Sequence, residues 1–431
     1  MHERPVVTCF LRNDGEILLL RRSDAVGSYQ GRWGGVTGYV AADEGRGSGK
    51  REPEPAARAE ISQETALDGA VTLVRRGDPF TVADGDARWR VHPFLFDCDS
   101  RKARTDAATT ETAWVHPPEI LRRETVPELW TSYDRVRPRI ATVRDDHTHG
   151  SSWLSRRAME VLRDEAALAV EGRSDERGTP ERDGDGWAGL AALARALREA
   201  RPSMAVLENR LNRAMLAAGD ERTPEAVERA ARGAVEQSVG ADREAARLAA
   251  DRLPDRVATL SRSGTVETAL RTGRPAAVLI AESRPGGEGV GVAEALADVT
   301  GVTLTTDAAL AFELVDWDAE AVLVGADRVL PDGRVLNKAG TRAVALAAAE
   351  ADVDCLVVCA SDKIAADADY DTEPRDPAEL YDGDADVAVA NPTFDVTPAD
   401  AVSAILTEQG ELSTAEVGAV ATTHEEWGQW G

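Results

Sequence analysis

The chain is 431 residues long, room for two or three domains with cores of their own. Its 50 Lys and Arg against 76 Asp and Glu leave a net charge of −26, dispersed along the chain. This argues against nucleic acid or anionic membrane as the main partner, since both want basic patches.

No apolar run approaches the roughly 18 residues of a membrane span, and no signal-like segment opens the chain, so a cytoplasmic protein is expected. Lysine is confined to Lys50, Lys102, Lys338 and Lys363, while arginine is abundant. An acidic, lysine-poor composition suits a halophilic cytoplasm, where molar salt shortens the Debye length to about 3 Å. An ordinary acidic protein of a GC-rich genome is the alternative. Cys9, Cys98, Cys355 and Cys359 lie in apolar, strand-like runs, without zinc-type spacing, and read as reduced core thiols.

The first elements form a hairpin: VVTCFLR, the turn Asn13-Asp14-Gly15, then EILLLRR. A polar, Gly-rich insert from Glu44 to Pro55 precedes one clear helix, PAARAEISQETAL. The strand WRVHPFLFDC and the segment ETAWVHPPEI complete an α+β domain over residues 1–140. A helix and charged linker follow over 141–185, where His147 and His149 of RDDHTHG read as solvent-exposed. Leu and Ala at helical spacing then fill 186–254, a packing pattern rather than chemistry. Over 255–415 short apolar strands (RVATL, AAVLIA, VTLTT, AVLVGA, CLVVCA) alternate with helical segments. That pattern predicts a Rossmann-like parallel sheet covered on both faces. Residues 416–431, ending in THEEWGQWG, read as a short polar tail docked on its own domain or on a partner. The fold class is therefore α/β, with an α+β domain ahead of a helical region and a parallel sheet.

Polar residues cluster after those strands, and ligands of open α/β sheets collect at strand carboxyl ends. Ser261, Ser263, Gly264 and Thr265 follow RVATL and open a helix whose free N–H groups suit a phosphate. Glu282, Arg284 and Gly289 follow AAVLIA; Arg284 offers a bidentate anion grip. Asp307 follows VTLTT, and Lys363 follows CLVVCA. Asp327, Asn337 and Lys338 come from the turn-bearing stretch VLVGADRVLPDGRVLNKAGT. Together they outline a crevice for a small phosphorylated ligand, with Asp327 and Lys338 as ligand contacts or as an ion pair that holds it open.

In the N-terminal domain the helix sets Glu60, Gln63 and Glu64 at i, i+3 and i+4, hence on one face. Upstream stands Trp33-Gly34-Gly35-Val36-Thr37-Gly38.

These residues carry two resemblances. ESRPGGEG, Asp307, GADRVLPDGRVLNKAGT, NPTFDVTP and Thr407-Glu408-Gln409-Gly410 resemble the translation initiation factor 2B alpha, beta and delta subunits. Methylthioribose-1-phosphate and ribose-1,5-bisphosphate isomerases belong to the same superfamily. The likeness covers about residues 185 to 415 and implies a helical part on a Rossmann-like part, assembled as oligomers. It also implies an isomerase aspartate at Asp327. The cysteine of that superfamily's T-H-C-N-x-G turn is absent, since Thr259 to Gly264 read TLSRSG, so the resemblance favours binding over isomerisation.

Residues 5 to 135 resemble the Nudix domain, whose box reads G-x5-E-x7-R-E-U-x-E-E-x-G-U. The resemblance implies Mg²⁺ or Mn²⁺ on Glu60, Gln63 and Glu64, with Glu111 as a distal ligand, and Glu60 and Glu64 serving hydrolysis of a nucleoside-diphosphate derivative. The departures are a longer interval from Glu44 to Glu60, Ala59 in the arginine slot, Gln63 in place of a glutamate and Ala66 in place of the glycine. They imply a weakened hydrolase or a binding domain.

The expected function is nucleotide or sugar-phosphate recognition joined to a Nudix-like module. A ribose-phosphate isomerase and a non-catalytic translation initiation subunit are the alternatives.

Overall fold

A computed structural model describes residues 3–40, 52–85, 87–146, 148–173, 179, 180, 182, 184 and 186–430. The expected polar insert up to Arg51, with Glu44, and His147 lie outside the described residues, as does much of the charged linker. By its internal contacts the chain divides into two units. Unit 1 comprises residues 1–139, 160–193 and 223–235; unit 2 comprises 140–159, 194–222 and 236–431.

Unit 1 is built on an eight-stranded sheet. Strands β1 (Glu3–Asn13) and β2 (Glu16–Arg22) are the expected hairpin. Asp14 and Gly15 both take left-handed backbone there, as a tight two-residue turn demands. Strands β3 (Trp33–Gly34) and β4 (Val36–Tyr39) come next, then helix α1 (Pro53–Thr65), β5 (Val71–Arg76), β6 (Phe80–Asp84), β7 (Ala87–Cys98), β8 (Thr109–Val115) and helix α2 (Leu129–Asp134). β1 runs parallel to β7 and antiparallel to β4, an irregular mixed sheet that alternation alone does not reveal.

The period-two pattern splits the core between two faces. Val7, Cys9 and Leu11 of β1 pack with Ala56, Ala57 and Ile61 of α1. Phe10, between them in sequence, packs on the other face with Trp130 and Tyr133. Residues 160–170 also belong to unit 1 and bring buried charge: Glu165 meets Arg137 at 2.6 Å, and Glu160 meets Arg12 at 3.3 Å.

The helical region contains α3 (Ile140–Arg144), α4 (Ser151–Val170), α5 (Gly186–Glu199), α6 (Ala205–Ala218) and α7 (Pro224–Ala250). The Leu and Ala pattern after Trp187 is broken into two helices, because Pro202 lacks the N–H that a continuous helix needs.

Unit 2 carries the expected parallel sheet. Its strands are β9 (Arg256–Leu260), β10 (Ala277–Ala281), β11 (Gly301–Thr305), β12 (Ala321–Val324), β15 (Asp354–Val358), β17 (Ala404–Thr407) and β18 (Gly410–Leu412). Between them lie helices α8 (Gly264–Gly273), α9 (Glu288–Leu296), α10 (Asp307–Asp316) and α11 (Thr341–Glu350). A second, three-stranded sheet pairs β13 (Arg328–Val329), β14 (Val335–Lys338) and β16 (Phe394–Thr397). The main sheet has the order β11-β10-β9-β12-β15-β17-β18, and all its pairs are parallel except the last.

Apolar side chains fill both faces. Ala258, Leu279, Val322 and Val357 face one cluster, and Val257, Val278, Leu323 and Val358 the other. The segment expected to dock is largely helical: residues 414–427 form helix α12 (Thr414–Trp427), opened by a Ser413–Glu416 capping box. Beyond it Trp430 is buried and donates its indole N–H to Asn212 Oδ1 at 2.9 Å.

Candidate functional site

The order of the main sheet decides where unit 2 can bind a ligand. The chain lays down β9, β10 and β11 in one direction, then returns to place β12 on the opposite side of β9. Loops leaving β9 and β12 therefore part in opposite directions, and a crevice opens between them. Ser261 follows β9 and Asp327 follows β12.

A cavity of about 510 Å³ lies there, lined by Ser261, Asp327, Lys338 and Glu288 together with Asp146, His149 and Ser151. Ser261 takes left-handed backbone (φ 64°), an unfavourable conformation for a non-glycine residue that is held where its surroundings dictate it. Its N–H donates to Ser283 Oγ at 2.6 Å. Asp327 Oδ1 accepts the Ser151 hydroxyl at 3.0 Å. Lys338 pairs with Glu288 at 2.8 Å rather than with Asp327. Arg375, from the long segment after β15, also lines the cavity and is held by Glu379 at 2.6 Å.

The other expected ligand residues have structural partners instead. Asn337 is buried and donates its amide to Thr341 Oγ1 at 3.0 Å. Asp307 accepts the backbone N–H groups of Ser283 (2.9 Å) and Arg284 (2.6 Å), so its carboxylate ties a loop. The Arg284 side chain is exposed and turned to Glu282 at 3.0 Å. Ser263 caps α8 by accepting from Val266 N–H, with Gly264 first in that helix and Thr265 buried behind it. Gly289 is a packing position, since a Cβ there would fall 1.8 Å from the Ala281 carbonyl oxygen. The Lys363 ammonium donates to the Ala326 carbonyl, propping the loop that carries Asp327.

No thiol reaches the cavity wall. All four cysteines are buried, and burial pushes Cys355 and Cys359 up to about 12. Below the crevice Asp362 is held under the usual carboxylate range, against its burial, by Arg210 at 2.8 Å and Arg213 at 2.6 Å.

Sequence reasoning passed over Glu288, Arg375 and His149. His149 is indeed exposed, but it stands in this cavity, with Nδ1 2.7 Å from Asp146 Oδ2 and its ring stacked on Trp153 at 3.9 Å and 11°. The one-residue interval between His149 and Ser151 was the available signal, because Ser151 opens a long helix.

In unit 1, Glu60 and Glu64 rise from α1 over β4. A Cβ on Gly38 would fall 1.9 Å from the Glu60 carboxyl carbon, so glycine makes room for that carboxylate. Glu64 Oε2 accepts the Thr37 N–H at 3.4 Å. Burial pushes Glu64 up to about 8, and the nearby Glu60 adds to the effect. Gln63 is exposed. Glu111 is more than half exposed and meets Arg21 at 3.3 Å. Among the described residues no group of three or more His, Cys, Asp or Glu gathers to hold a metal.

Two crowded carboxylates nevertheless suit a cation of the Mg²⁺ type, which keeps waters and takes one or two protein carboxylates plus substrate phosphates. Beside them opens a smaller cavity of about 140 Å³, lined by Thr37, Gly38, Arg22, Tyr29, Tyr39 and Trp89. The Tyr39 and Trp89 rings lie 6.2 Å apart at 46°.

With this geometry in place, residues 147–414 match the model of the Initiation factor 2 subunit family. The chain belongs to that family. Residues 2–136 match the NUDIX domain, so the family module here follows a second module in one chain. A ribose 1,5-bisphosphate isomerase of Haloferax volcanii is 31% identical over 65% of this chain and 90% of its own length. A methylthioribose-1-phosphate isomerase of Chloroflexus aurantiacus is 37% identical over 34% of this chain, which spans 45% of that relative.

Among solved structures, the translation initiation factor eIF-2B of Pyrococcus horikoshii OT3 aligns with a TM-score of 0.52 and 26% identity. The alignment covers 63% of this chain and 94% of that one. The 5-methylthioribose 1-phosphate isomerase of the same organism shares the fold at 20% identity and a TM-score of 0.52, over 73% of this chain and 89% of its own. Both modules are therefore family folds, and no helix among the described residues is long and apolar enough to cross a membrane.

Proposed function

We propose that the crevice between β9 and β12 binds a phosphorylated pentose or a nucleotide. The observation that carries this reading is the cavity itself, which brings Ser261, Asp327 and Lys338 together at the crossing point of the sheet. A phosphate entering beside Lys338 replaces Glu288 as its counter-ion, exchanging one charge-assisted bond for another. Hydroxyls of the sugar then meet Asp327 and Ser151. The names of the relatives, which act on ribose 1,5-bisphosphate and methylthioribose 1-phosphate, support a pentose phosphate as the ligand.

In unit 1 we infer a nucleoside-diphosphate derivative as ligand, its base lying against Tyr39 and Trp89 and its diphosphate toward Glu60 and Glu64. Mg²⁺ or Mn²⁺ held by those two carboxylates supplies charge neutralisation and activated water when bound. Gln63 adds no negative charge, so hydrolysis is slow. Thermal stabilisation by a panel of nucleotides and phosphorylated pentoses tests both parts. A rise in Tm with a pentose phosphate that Lys338→Ala removes is expected, and no rise with any member of the panel sinks the reading.

The likeness to eIF-2B raises a translational role and self-assembly as the other reading. Copurification of the full chain with initiation factor 2 would favour it, and size-exclusion chromatography reports the oligomer.

A further inference from the structure

A single turn, Ser361–Lys363, follows β15, and all three of its residues are buried. One 3₁₀ turn has too few bonds of its own to satisfy them, so partners come from elsewhere in the chain. Asn209 of α6 donates its amide to the Asp362 carbonyl at 2.9 Å and to the Ile364 carbonyl at 2.8 Å. Arg210 and Arg213 hold the Asp362 carboxylate, and Glu408 accepts the Ser361 N–H at 2.8 Å. We propose that helix α12 completes this grip, and that through Lys363 it sets the position of Asp327 in the crevice. What this does to a bound ligand rests on the crevice binding a pentose phosphate.

His424 is the contact from α12. It is 2% exposed, with Nδ1 2.7 Å from the Ile364 carbonyl oxygen and 3.1 Å from the Asn209 amide nitrogen. A carbonyl only accepts, so Nδ1 carries the proton, and His424 and Asn209 donate to the same oxygen. Burial, opposed by the Ile364 carbonyl and by Asp362, holds the imidazole below its usual value, hence neutral at neutral pH. The Trp427 ring lies 4.4 Å from that imidazole, and the Arg213 guanidinium stands 5.2 Å over Trp427. Trp430 bonds Asn212. Asn209, Asn212 and Arg213 stand at i, i+3 and i+4, so one face of α6 receives both the turn and the end of α12.

The grip acts on the crevice through Lys363. Its buried ammonium has no carboxylate partner among the described residues and donates to the carbonyl of Ala326, the residue before Asp327. Burying an ammonium against a neutral carbonyl is costly, and it persists only where the surroundings fix both ends. Asp327 is tied on its other sides by its N–H to the Leu336 carbonyl at 2.9 Å and by the Ser151 hydroxyl on its carboxylate. Slack in the turn leaves the buried Ala326 carbonyl without its donor. A peptide that rotates to find another carries Asp327 with it. His424 and Lys363 are therefore positioning residues for the crevice.

The test uses the full chain and pairs H424A with H424N. An asparagine amide places an N–H near that of Nδ1, so the two variants lose the same ring contacts and differ in one hydrogen bond. Hydrogen exchange of the amides at 325–330 should rise about fivefold in H424A and K363M and stay within about twofold of the wild type in H424N, with β10 unchanged. Titration calorimetry should show ribose 5-phosphate bound about tenfold more weakly by H424A and K363M, the cost of one buried hydrogen bond, and almost normally by H424N. No rise in exchange at 325–330 overturns the proposal. So does an equal rise in β10, which marks general loosening, or an equal rise in H424N, which marks lost packing. A rise in exchange with affinity unchanged overturns the role in ligand binding. A wild type that takes up no ribose 5-phosphate overturns the binding reading, and the exchange data still decide the grip. Should H424A fail to fold, K363M and W430F, which keeps a ring and loses only the indole N–H, carry the same measurements.

Discussion

The carboxylates of the two units are buried under opposite electrostatic conditions. In unit 1, Glu60 and Glu64 come from one turn of one helix beside a sheet strand, and at Glu64 the nearby Arg22 does not offset burial and the Glu60 charge. Burial then wins, and Glu64 is pushed up to about 8. In unit 2, Asp362 is more deeply buried, yet Arg210 and Arg213 from α6 bring it below the usual carboxylate range. Burial alone does not decide a carboxylate's charge; the counter-charge brought from elsewhere in the chain does. A site left short of positive charge is one that gains by taking a cation from solution, and a site already paired is structural.

The sharpest way to break this contrast is to remove the paired carboxylate. Asp362→Ala removes the carboxylate shared by two guanidinium groups, leaving the fully buried Arg210 with Asp242 at 3.5 Å, and should cost about 3 kcal/mol of unit 2 stability. Urea denaturation read from unit 2 would show it, and a change below about 1 kcal/mol would mean that water solvates both arginines.

Glu64 gives the second test, in metal-free buffer. The folded value for Glu64 is about 8 against an unfolded value of 4.5. Its contribution to stability is therefore full below about pH 4.5 and is lost as pH rises through 8. Glu64→Gln should be neutral at pH 4 and stabilising by on the order of 2 kcal/mol at pH 9, after allowing for partial exposure. Mg²⁺ should narrow that gap by stabilising the wild type alone; an equal effect on both proteins would remove the cation from this site.

Smaller effects follow from single charges at the two sites. Gln63→Glu should strengthen Mg²⁺ binding by about 1 kcal/mol and raise Mg²⁺-dependent hydrolysis several-fold, as one carboxylate near a divalent ion does across water. Glu288→Gln should tighten phosphate binding at Lys338 by about the same amount, since the incoming anion no longer displaces a carboxylate. Titration calorimetry with ribose 5-phosphate reads the second. Weaker binding there would mean that Glu288 orients Lys338 rather than competing for it.

The sequence by itself determined the class of both modules. Period-two alternation with Asn13-Asp14-Gly15 wrote the hairpin, apolar runs wrote the parallel sheet, and helical spacing put Glu60 and Glu64 on one face. Each of these is a local consequence of backbone geometry. Asp327 and Ser261 were also legible, because the strands that flank a change of direction expose their carboxyl ends. What only the tertiary structure decided is which polar residues share a cavity and which serve the backbone.

Asn337, Asp307, Arg284 and Lys363 stand at strand ends like the others, yet hydrogen bonds spend them on loops and caps, some to near neighbours (Thr341, Glu282) and some across tens of residues (Asp307 to Ser283, Lys363 to Ala326). His149 stands outside the sheet altogether, and the fold sets it in the same cavity as Asp327. Strand ends are a local property. The meeting of a histidine and an aspartate 178 positions apart in the chain is set by how the chain closes on itself, which no spacing along the sequence records.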